Sequence, residues 1–210
     1  MGWNVIEDKI KQGLEAIACN LDADKLAKLT HYVELLNKWN KAFNLTAVRN
    51  VDEMVGRHIV DSLSTLPYVQ GKRIIDVGTG PGLPGIPLAI CFPQTEFFLL
   101  DSNIKKTRFL TQCKLELNLS NVTVIHARAE EFLPVEKFDM VTSRAFAPLK
   151  NIINWCRHLV TEEGTFLAMK GPYPDDEIAD LPEDYRLQRS IEVNIPGSDA
   201  ERHLLVIGQC

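Results

Sequence analysis

Between Arg73 and Asp101 the chain sets a run of glycines between two apolar stretches and ends the second stretch on an acid, a spacing suited to holding a nucleotide-like cofactor. Ile74, Ile75 and Val77 read as a short strand that closes at Gly78-Thr79-Gly80-Pro81-Gly82. Glycines there admit positive φ and let a ligand approach the backbone without meeting a Cβ. The next apolar run, Phe97 to Leu100, stops at Asp101. A carboxylate at the C-terminal end of a strand can accept both hydroxyl hydrogens of a ribose. The alternative for Asp101 is to cap the helix predicted over Lys105 to Leu117, and one carboxylate does not easily serve both roles.

Two cofactors compete for this segment. Gly80-Pro81-Gly82-Leu83-Pro84-Gly85 fits the dinucleotide fingerprint, with an acid roughly 20 residues further on, so a nicotinamide-dependent oxidoreductase is one reading. Pro81 and Pro84 count against it, because each removes an N–H from a turn that would need donors to hold a pyrophosphate. S-adenosylmethionine carries no phosphate and needs no such cradle. In addition, Asp76-Val77-Gly78-Thr79-Gly80-Pro81-Gly82 resembles the first motif of the class I S-adenosylmethionine-dependent methyltransferases. At 210 residues the chain also leaves little room for the separate substrate domain that many dehydrogenases carry.

The elements that must position this site follow from periodicity. Ile6, Ile10, Leu14, Ile17 and Leu21 recur at helical spacing, as do Leu26, Leu29, Val33, Leu36 and Phe43. Asn50-Val51-Asp52-Glu53 has the form of a capping box opening a helix through Met54, Ile59 and Leu63. Leu66-Pro67 should end that helix, and Gln70-Gly71 marks a boundary. From Arg73 the pattern alternates, with strands at Arg73 to Val77, Phe97 to Leu100, Val122 to Ile125, Phe138 to Val141 and Thr165 to Met169. Helices are expected from about Gly85, over Lys105 to Leu117 and near Leu149 to Leu159. Gln188 to Ile195 and His203 to Ile207 should supply two further strands, an antiparallel end to the sheet. The expected fold class is therefore α/β, a Rossmann-like sheet of the class I methyltransferase kind, with an N-terminal helical cap over 1–70 and a methyltransferase domain over 71–210.

Composition narrows the partners. The formal net charge of −5 argues against indiscriminate nucleic-acid binding, yet the acidity lies mostly in residues 161–210, which hold 4 Lys and Arg against 11 Asp and Glu. Glu162, Glu163, Asp175, Asp176, Glu177, Asp180, Glu183 and Asp184 read as solvated helix ends and turns. No stretch approaches membrane-spanning length, and Met1 to Lys11 lacks the apolar core of a signal peptide. Cys19, Cys91, Cys113, Cys156 and Cys210 are scattered without a zinc or redox pair. The expectation is a cytoplasmic monomer with no bound metal.

Several motifs in order then resemble one family. They are Lys38-Trp39-Asn40-Lys41-Ala42-Phe43-Asn44-Leu45-Thr46, Arg57-His58-Ile59-Val60-Asp61-Ser62, Asp76 to Pro87, Ser143-Arg144-Ala145-Phe146-Ala147, Lys170-Gly171 and Glu201-Arg202-His203-Leu204. From about Leu29 to Ile207 the chain resembles the bacterial 16S ribosomal RNA guanine-N7 methyltransferases, the glucose-inhibited division protein B family. Ala200 departs from the glycine the family often has before Glu-Arg-His, and Met1 to Leu21 carries no recognised motif. The resemblance implies S-adenosylmethionine as cofactor, 16S ribosomal RNA of the small subunit as partner, and methyl transfer to N7 of one guanine. By the same resemblance Gly78 and Leu83 would touch the cofactor beside Gly80 and Gly82, Ala129 and Glu130 would frame its adenine, and Arg144 would border cofactor or substrate.

Guanine N7 carries an in-plane lone pair and loses no proton on methylation, so the reaction calls for alignment rather than a general base. The sequence after the fourth strand agrees: Ser143-Arg144-Ala145-Phe146 stands where exocyclic-amine methyltransferases carry Asn-Pro-Pro-Tyr or Asp-Pro-Pro-Tyr. Arg144 is read as the residue that orients substrate, holding O6 or a phosphate, or else as an exposed strand-end arginine. RNA contacts are expected from Lys41, Arg49, Arg57, His58, Lys150, Lys170, Arg202 and His203, which belong to or adjoin these segments. Trp39 and Phe43 fit a helical core or base stacking, and Asn44 is expected to cap or bend the chain after its helix. A catalytically idle RNA-binding assembly factor on the same fold is the rival from another class.

Overall fold

The computed structural model describes residues 3–195 and 200–210, with the side chains of Trp3 and Asn4 set aside. The apolar spacings of the first seventy residues become α1 (Trp3–Ala16) and α2 (Ala23–Phe43). Asp22 caps the start of α2 by accepting the Lys25 N–H, and Asn44 closes it in the left-handed region at φ 53°. Asn50 caps α3 (Val51–Met54) through the Asp52 N–H. Glu53 approaches Arg57 at 3.4 Å instead of closing the capping box, and among the described residues the Asn50 N–H makes no bond to Glu53. The helix then widens into a π-helical turn, Val55–Val60, and returns as α4 (Asp61–Leu63). A short 3-10 turn over Leu66–Tyr68 ends the helical part with Pro67 inside it.

The alternating half builds β1 (Arg73–Val77), α5 (Gly85–Cys91), β2 (Glu96–Asp101), α6 (Ile104–Glu116), β3 (Val122–His126) and β4 (Phe138–Arg144). It continues through α7 (Leu149–Cys156), β5 (Val160–Lys170), α8 (Asp175–Ala179), β6 (Tyr185–Glu192) and β7 (His203–Gln209). The sheet has seven strands in the order β3-β2-β1-β4-β5-β7-β6, with β7 antiparallel to both of its neighbours. Strand order reverses between β1 and β4, and the crevice beyond the carboxyl ends of strands at such a switch is where ligands enter sheets of this kind.

Strand periodicity decides what each face of the sheet buries. On β1, Ile74 joins the core under α1 to α6, whereas Ile75 and Val77 join the core under α7. Asp76 therefore shares the Ile74 face and meets α5 through the Gly85 N–H. The N-terminal helices belong to the same hydrophobic cluster as α5 and α6, and Tyr32, fully buried on α2, donates its hydroxyl to Pro81 O at 2.9 Å. The helical part thus holds the glycine loop directly. Among the described residues no helix is long and apolar enough to cross a membrane, and the five cysteines are free thiols.

Candidate active site

The loops after β1, β2, β3 and β4 enclose a cavity of about 370 Å³ lined by Gly78, Leu100, Asp101, Ser102, Lys106 and the segment Ala127 to Glu130, with Ala145, Phe146 and Trp155 on the facing wall. Gly78 turns the chain at φ 65°, and a Cβ there would overlap the Phe146 ring, which packs edge-on against Trp155 at 5.8 Å. Asp101 is buried at the end of β2. Its carboxylate accepts the Gly80 N–H at 2.9 Å and the Asn103 N–H at 2.8 Å, with Lys106 Nζ at 3.5 Å. The N-cap of α6 is Asn103, which accepts the Lys105 N–H, so the capping alternative for Asp101 is set aside.

Behind the loop, Asp76 is fully buried. Its Oδ2 accepts from Thr79 Oγ1 at 2.6 Å and Gly85 N at 2.8 Å, while Oδ1 has no hydrogen-bond partner among the described residues. Burial pushes this carboxyl up from its ordinary 3.8 to about 7, against the Thr79 and Gly85 hydrogen bonds, which pull it down.

A second cavity of about 310 Å³ adjoins the first and shares Ala145 with it. Ala145 sits just past β4 at φ 49°, a left-handed conformation that side-chain-bearing residues rarely adopt and that recurs where a site fixes the backbone. Arg57, His58, Asp61, Arg144, Lys170 and Arg202 line this cavity with Val48, Met169 and Gly171. Arg144 Nη1 donates to Asp61 Oδ2 at 3.0 Å and to the Arg57 carbonyl at 2.9 Å, and Arg202 Nε donates to Asp61 Oδ1 at 3.1 Å. The π-helical turn carries Arg57 and His58 and runs directly into Asp61, a use of π turns that is frequent at functional sites.

The His58 ring is fixed at both nitrogens. Nδ1 lies 3.0 Å from the Arg57 carbonyl, which can only accept, so Nδ1 carries the proton and Nε2 accepts from Thr46 Oγ1 at 3.0 Å. The 3.5 Å approach of Arg144 Nη2 to Nδ1 then sets donor against donor and is an electrostatic contact, not a hydrogen bond. Burial first, and the Arg144 charge second, lower His58 from its ordinary 6.5 to about 4, so the ring is neutral at physiological pH.

Of the residues singled out from sequence, Gly78, Asp101, Ala129 and Glu130 meet around the first cavity. Gly80, Gly82 and Leu83 are not in its lining. Gly80 turns at φ 62°, Gly82 turns at φ 100° where a Cβ would overlap Ile86, and Leu83 is buried in the core. Arg57, His58, Arg144, Lys170 and Arg202 meet around the second cavity. Lys41, Arg49, Lys150 and His203 stand outside it. Arg49 braces the end of α2 through Asn44 Oδ1 at 2.6 Å and Asn40 O at 3.1 Å, and Lys150 pairs with Asp180 at 2.9 Å. His203 Nδ1 meets the Gly171 carbonyl at 2.8 Å. Trp39 packs on Phe109 at 5.6 Å while Phe43 remains 42% exposed.

Sequence reasoning missed Asp61 as the common partner of two arginines, and Phe146 and Trp155 as a cavity wall. It also read Glu177 as solvated, whereas Glu177 accepts the Leu149 N–H at 2.7 Å and pairs with Lys170 at 2.6 Å. The nearest signal was that Asp61 and Phe146 lie inside the quoted motifs. Among the described residues no group of three or more His, Cys, Asp or Glu could hold a metal ion.

The family model described as GidB, rRNA small subunit methyltransferase G, matches residues 25–205. A Pseudomonas aeruginosa protein named ribosomal RNA small subunit methyltransferase G is 52% identical over 201 residues, covering 95% of this chain and 94% of its own. A Laribacter hongkongensis protein of the same name is 50% identical over 203 residues, covering 97% and 98%. Among solved structures, an S-adenosylmethionine-dependent methyltransferase from Thiobacillus denitrificans in complex with S-adenosyl-L-homocysteine superposes with a TM-score of 0.57 at 12% identity, over 84% of this chain and 98% of that one. TrmN from Thermus thermophilus gives 0.55 at 18% identity, over 81% and 53%. At such identities these structures establish the fold, that of the class I S-adenosylmethionine-dependent methyltransferases.

Proposed function

The chain belongs to the rRNA small subunit methyltransferase G family, and from that premise we propose that it transfers a methyl group from S-adenosylmethionine to N7 of one guanine in the 16S RNA of the small ribosomal subunit. The observation that carries this reading is the junction at Ala145, where a cavity fit for a nucleoside cofactor meets one lined with arginines.

The first cavity has the volume of a small-molecule site and the chemistry of an adenosine cradle. Asp101 stands at the end of β2, and its four lone-pair sites exceed the two backbone donors it already serves, which leaves capacity for ribose hydroxyls. Ala129 and Glu130 would frame the adenine, Gly78 leaves space for the Phe146 ring in the cavity wall, and Gly80, Gly82 and Leu83 hold the loop in shape. When bound there, S-adenosylmethionine supplies a methyl group made electrophilic by its sulfonium.

This chain's part is then to present the base. N7 must face the methyl group, so Arg144 takes O6 or a phosphate and orients the purine. A general base is not required, and the groups of the second cavity agree: both Asp61 oxygens are engaged by arginines, and both His58 nitrogens are committed. Arg57, Lys170 and Arg202 face RNA phosphates near the target, and Lys41, Arg49, Lys150 and His203 contact the flanking backbone further out. The helical cap, 1–70, and the methyltransferase part, 71–210, work as one body because they share a core and Tyr32 grips the glycine loop. A monomer acting in the cytoplasm is the assembly we propose. The free thiols accord with a reducing compartment.

The test incubates the purified protein with labelled S-adenosylmethionine and small subunits lacking the modification, then digests the RNA to nucleosides. Label in 7-methylguanosine is the expected result. Label in another nucleoside would move the acceptor, and intact cofactor binding without any label would support an assembly factor instead.

A further inference from the structure

We propose that Asp61 is a positioning residue, which clamps the Arg144 and Arg202 guanidinium groups in fixed places so that their remaining N–H donors face an RNA acceptor in the second cavity. The proposal rests on the methyltransferase reading for the identity of that acceptor.

Asp61 opens α4 directly after the π-helical turn, and its side chain is only 6% exposed. One carboxylate oxygen serves each arginine, although the two partners lie 83 and 141 residues away along the chain. Each guanidinium has a second tie, Arg144 to the Arg57 carbonyl and Arg202 to the Glu201 carbonyl at 2.7 Å. Two-point attachment removes the rotation that a long cationic side chain otherwise keeps. Among the described residues, Nη2 of Arg202 has no hydrogen-bond acceptor, and Nη2 of Arg144 faces only the protonated Nδ1 of His58. The clamp therefore spends part of each fork on Asp61 and leaves part of it for a ligand. With Arg144, Arg202, Arg57 and Lys170 set against Asp61, Glu53 and Glu177, the cavity keeps a net positive charge, as an RNA site requires.

A carboxylate is needed rather than any polar group of that size. An amide has one acceptor oxygen and two donors, so Asp61→Asn can hold one guanidinium and turns an N–H toward the other. The same substitution removes a negative charge. Electrostatics alone then predict RNA affinity equal to or above wild type, whereas the clamp predicts a fall in turnover despite it.

The experiment compares wild type with Asp61→Asn for methyl transfer to small subunits, RNA retention across a salt series, and S-adenosylhomocysteine affinity by calorimetry. We expect kcat to fall roughly 30-fold or more, RNA binding to be unchanged or tighter, and cofactor affinity to stay within about twofold. Wild-type kcat in the variant would overturn the proposal. In an Arg202→Leu background the Asp61→Asn loss should be much less than additive, and full additivity would also overturn it. Should Asp61→Asn prove unstable, Asp61→Glu keeps the charge and displaces the clamp by one methylene. It should lower kcat at wild-type RNA affinity, and wild-type kcat would again overturn the claim.

The guanidinium N–H resonances give a readout independent of turnover. The Nη–H of Arg144 and the Nε–H of Arg202, which donate to Asp61, should be sharp and slow to exchange in the wild type and averaged in Asp61→Asn; indifference to the substitution would overturn the clamp. Absence of transfer by the wild type would instead count against the functional reading alone, since the resonances still decide the clamp.

Discussion

The two cavities that meet at Ala145 are built by opposite means. The first is a backbone construction: loops after four successive strands of the sheet bend around it, a left-handed glycine gives it room, and Asp101 is its most buried charged group. The second is a side-chain construction, with an acid from α4 gripping one arginine at the end of β4 and another immediately before β7. The first needs shape for one small ligand. On the proposed reading the second needs charge held at chosen points, because phosphates would supply affinity while one base must be aimed. A single fold meets both demands by placing the first in the switch-point crevice and closing the second with the helical part.

If the division is real, substitutions should separate cofactor binding from base presentation. The largest expected effect is Gly78→Val. A branched side chain at φ 65° is strained by about 1–3 kcal/mol, and its Cβ overlaps Phe146. Cofactor affinity measured by calorimetry should fall roughly 100-fold or more.

Arg144→Ala should act on the other side, lowering turnover roughly 30-fold or more because it removes one partner of a part-buried, hydrogen-bonded charge pair, about 2 kcal/mol, with cofactor affinity nearly unchanged. Normal turnover on small subunits would remove Arg144 from the mechanism. Smaller still is Asp101→Asn, which weakens the acceptor for the Gly80 and Asn103 N–H groups by about 1–3 kcal/mol. It should reduce cofactor affinity roughly tenfold and leave RNA retention intact.

On stability rather than activity, the expected effect is a pair of opposed pH dependences in the cofactor-free protein. Asp76, raised from 3.8 to about 7, holds a proton in the native state that the unfolded chain releases, so its contribution is full at low pH and is lost as pH rises from 3.8 through about 7. His58, lowered from 6.5 to about 4, refuses a proton that the unfolded chain takes, so stability is lost as pH falls from 6.5 through about 4. Relative to wild type, Asp76→Asn should therefore gain stability as pH rises across that range, and His58→Gln should gain it as pH falls. Denaturant titrations of both variants giving slopes of the same sign would contradict this assignment.

The same contrast explains what the sequence made legible. Asp76, the glycines and Asp101 lie within one strand-turn-helix-strand unit, so local pattern was enough to find them and to expect the parallel sheet. Asp61 was visible only as a letter in a motif, because its partners are brought to it by tertiary structure. The π-helical turn at Val55–Val60 left no trace in the apolar spacing, which Ile59 and Leu63 satisfy as an ordinary helix would. α8 is five residues long, too short to show a period, and its acids looked solvated until Glu177 was seen to receive Lys170 and the first N–H of α7. Strand ends were misjudged where polar residues continue a ladder: β4 runs on to Arg144, and β6 begins at Tyr185. That extension of β4 is what carries Arg144 to the junction.

The most direct test of the two-cavity account is the affinity of S-adenosylhomocysteine for the wild type, Gly78→Val and Arg144→Ala, measured by calorimetry on folded protein. The account predicts binding abolished or nearly so in Gly78→Val and close to wild type in Arg144→Ala. Equal loss in both, or loss in Arg144→Ala alone, would contradict it.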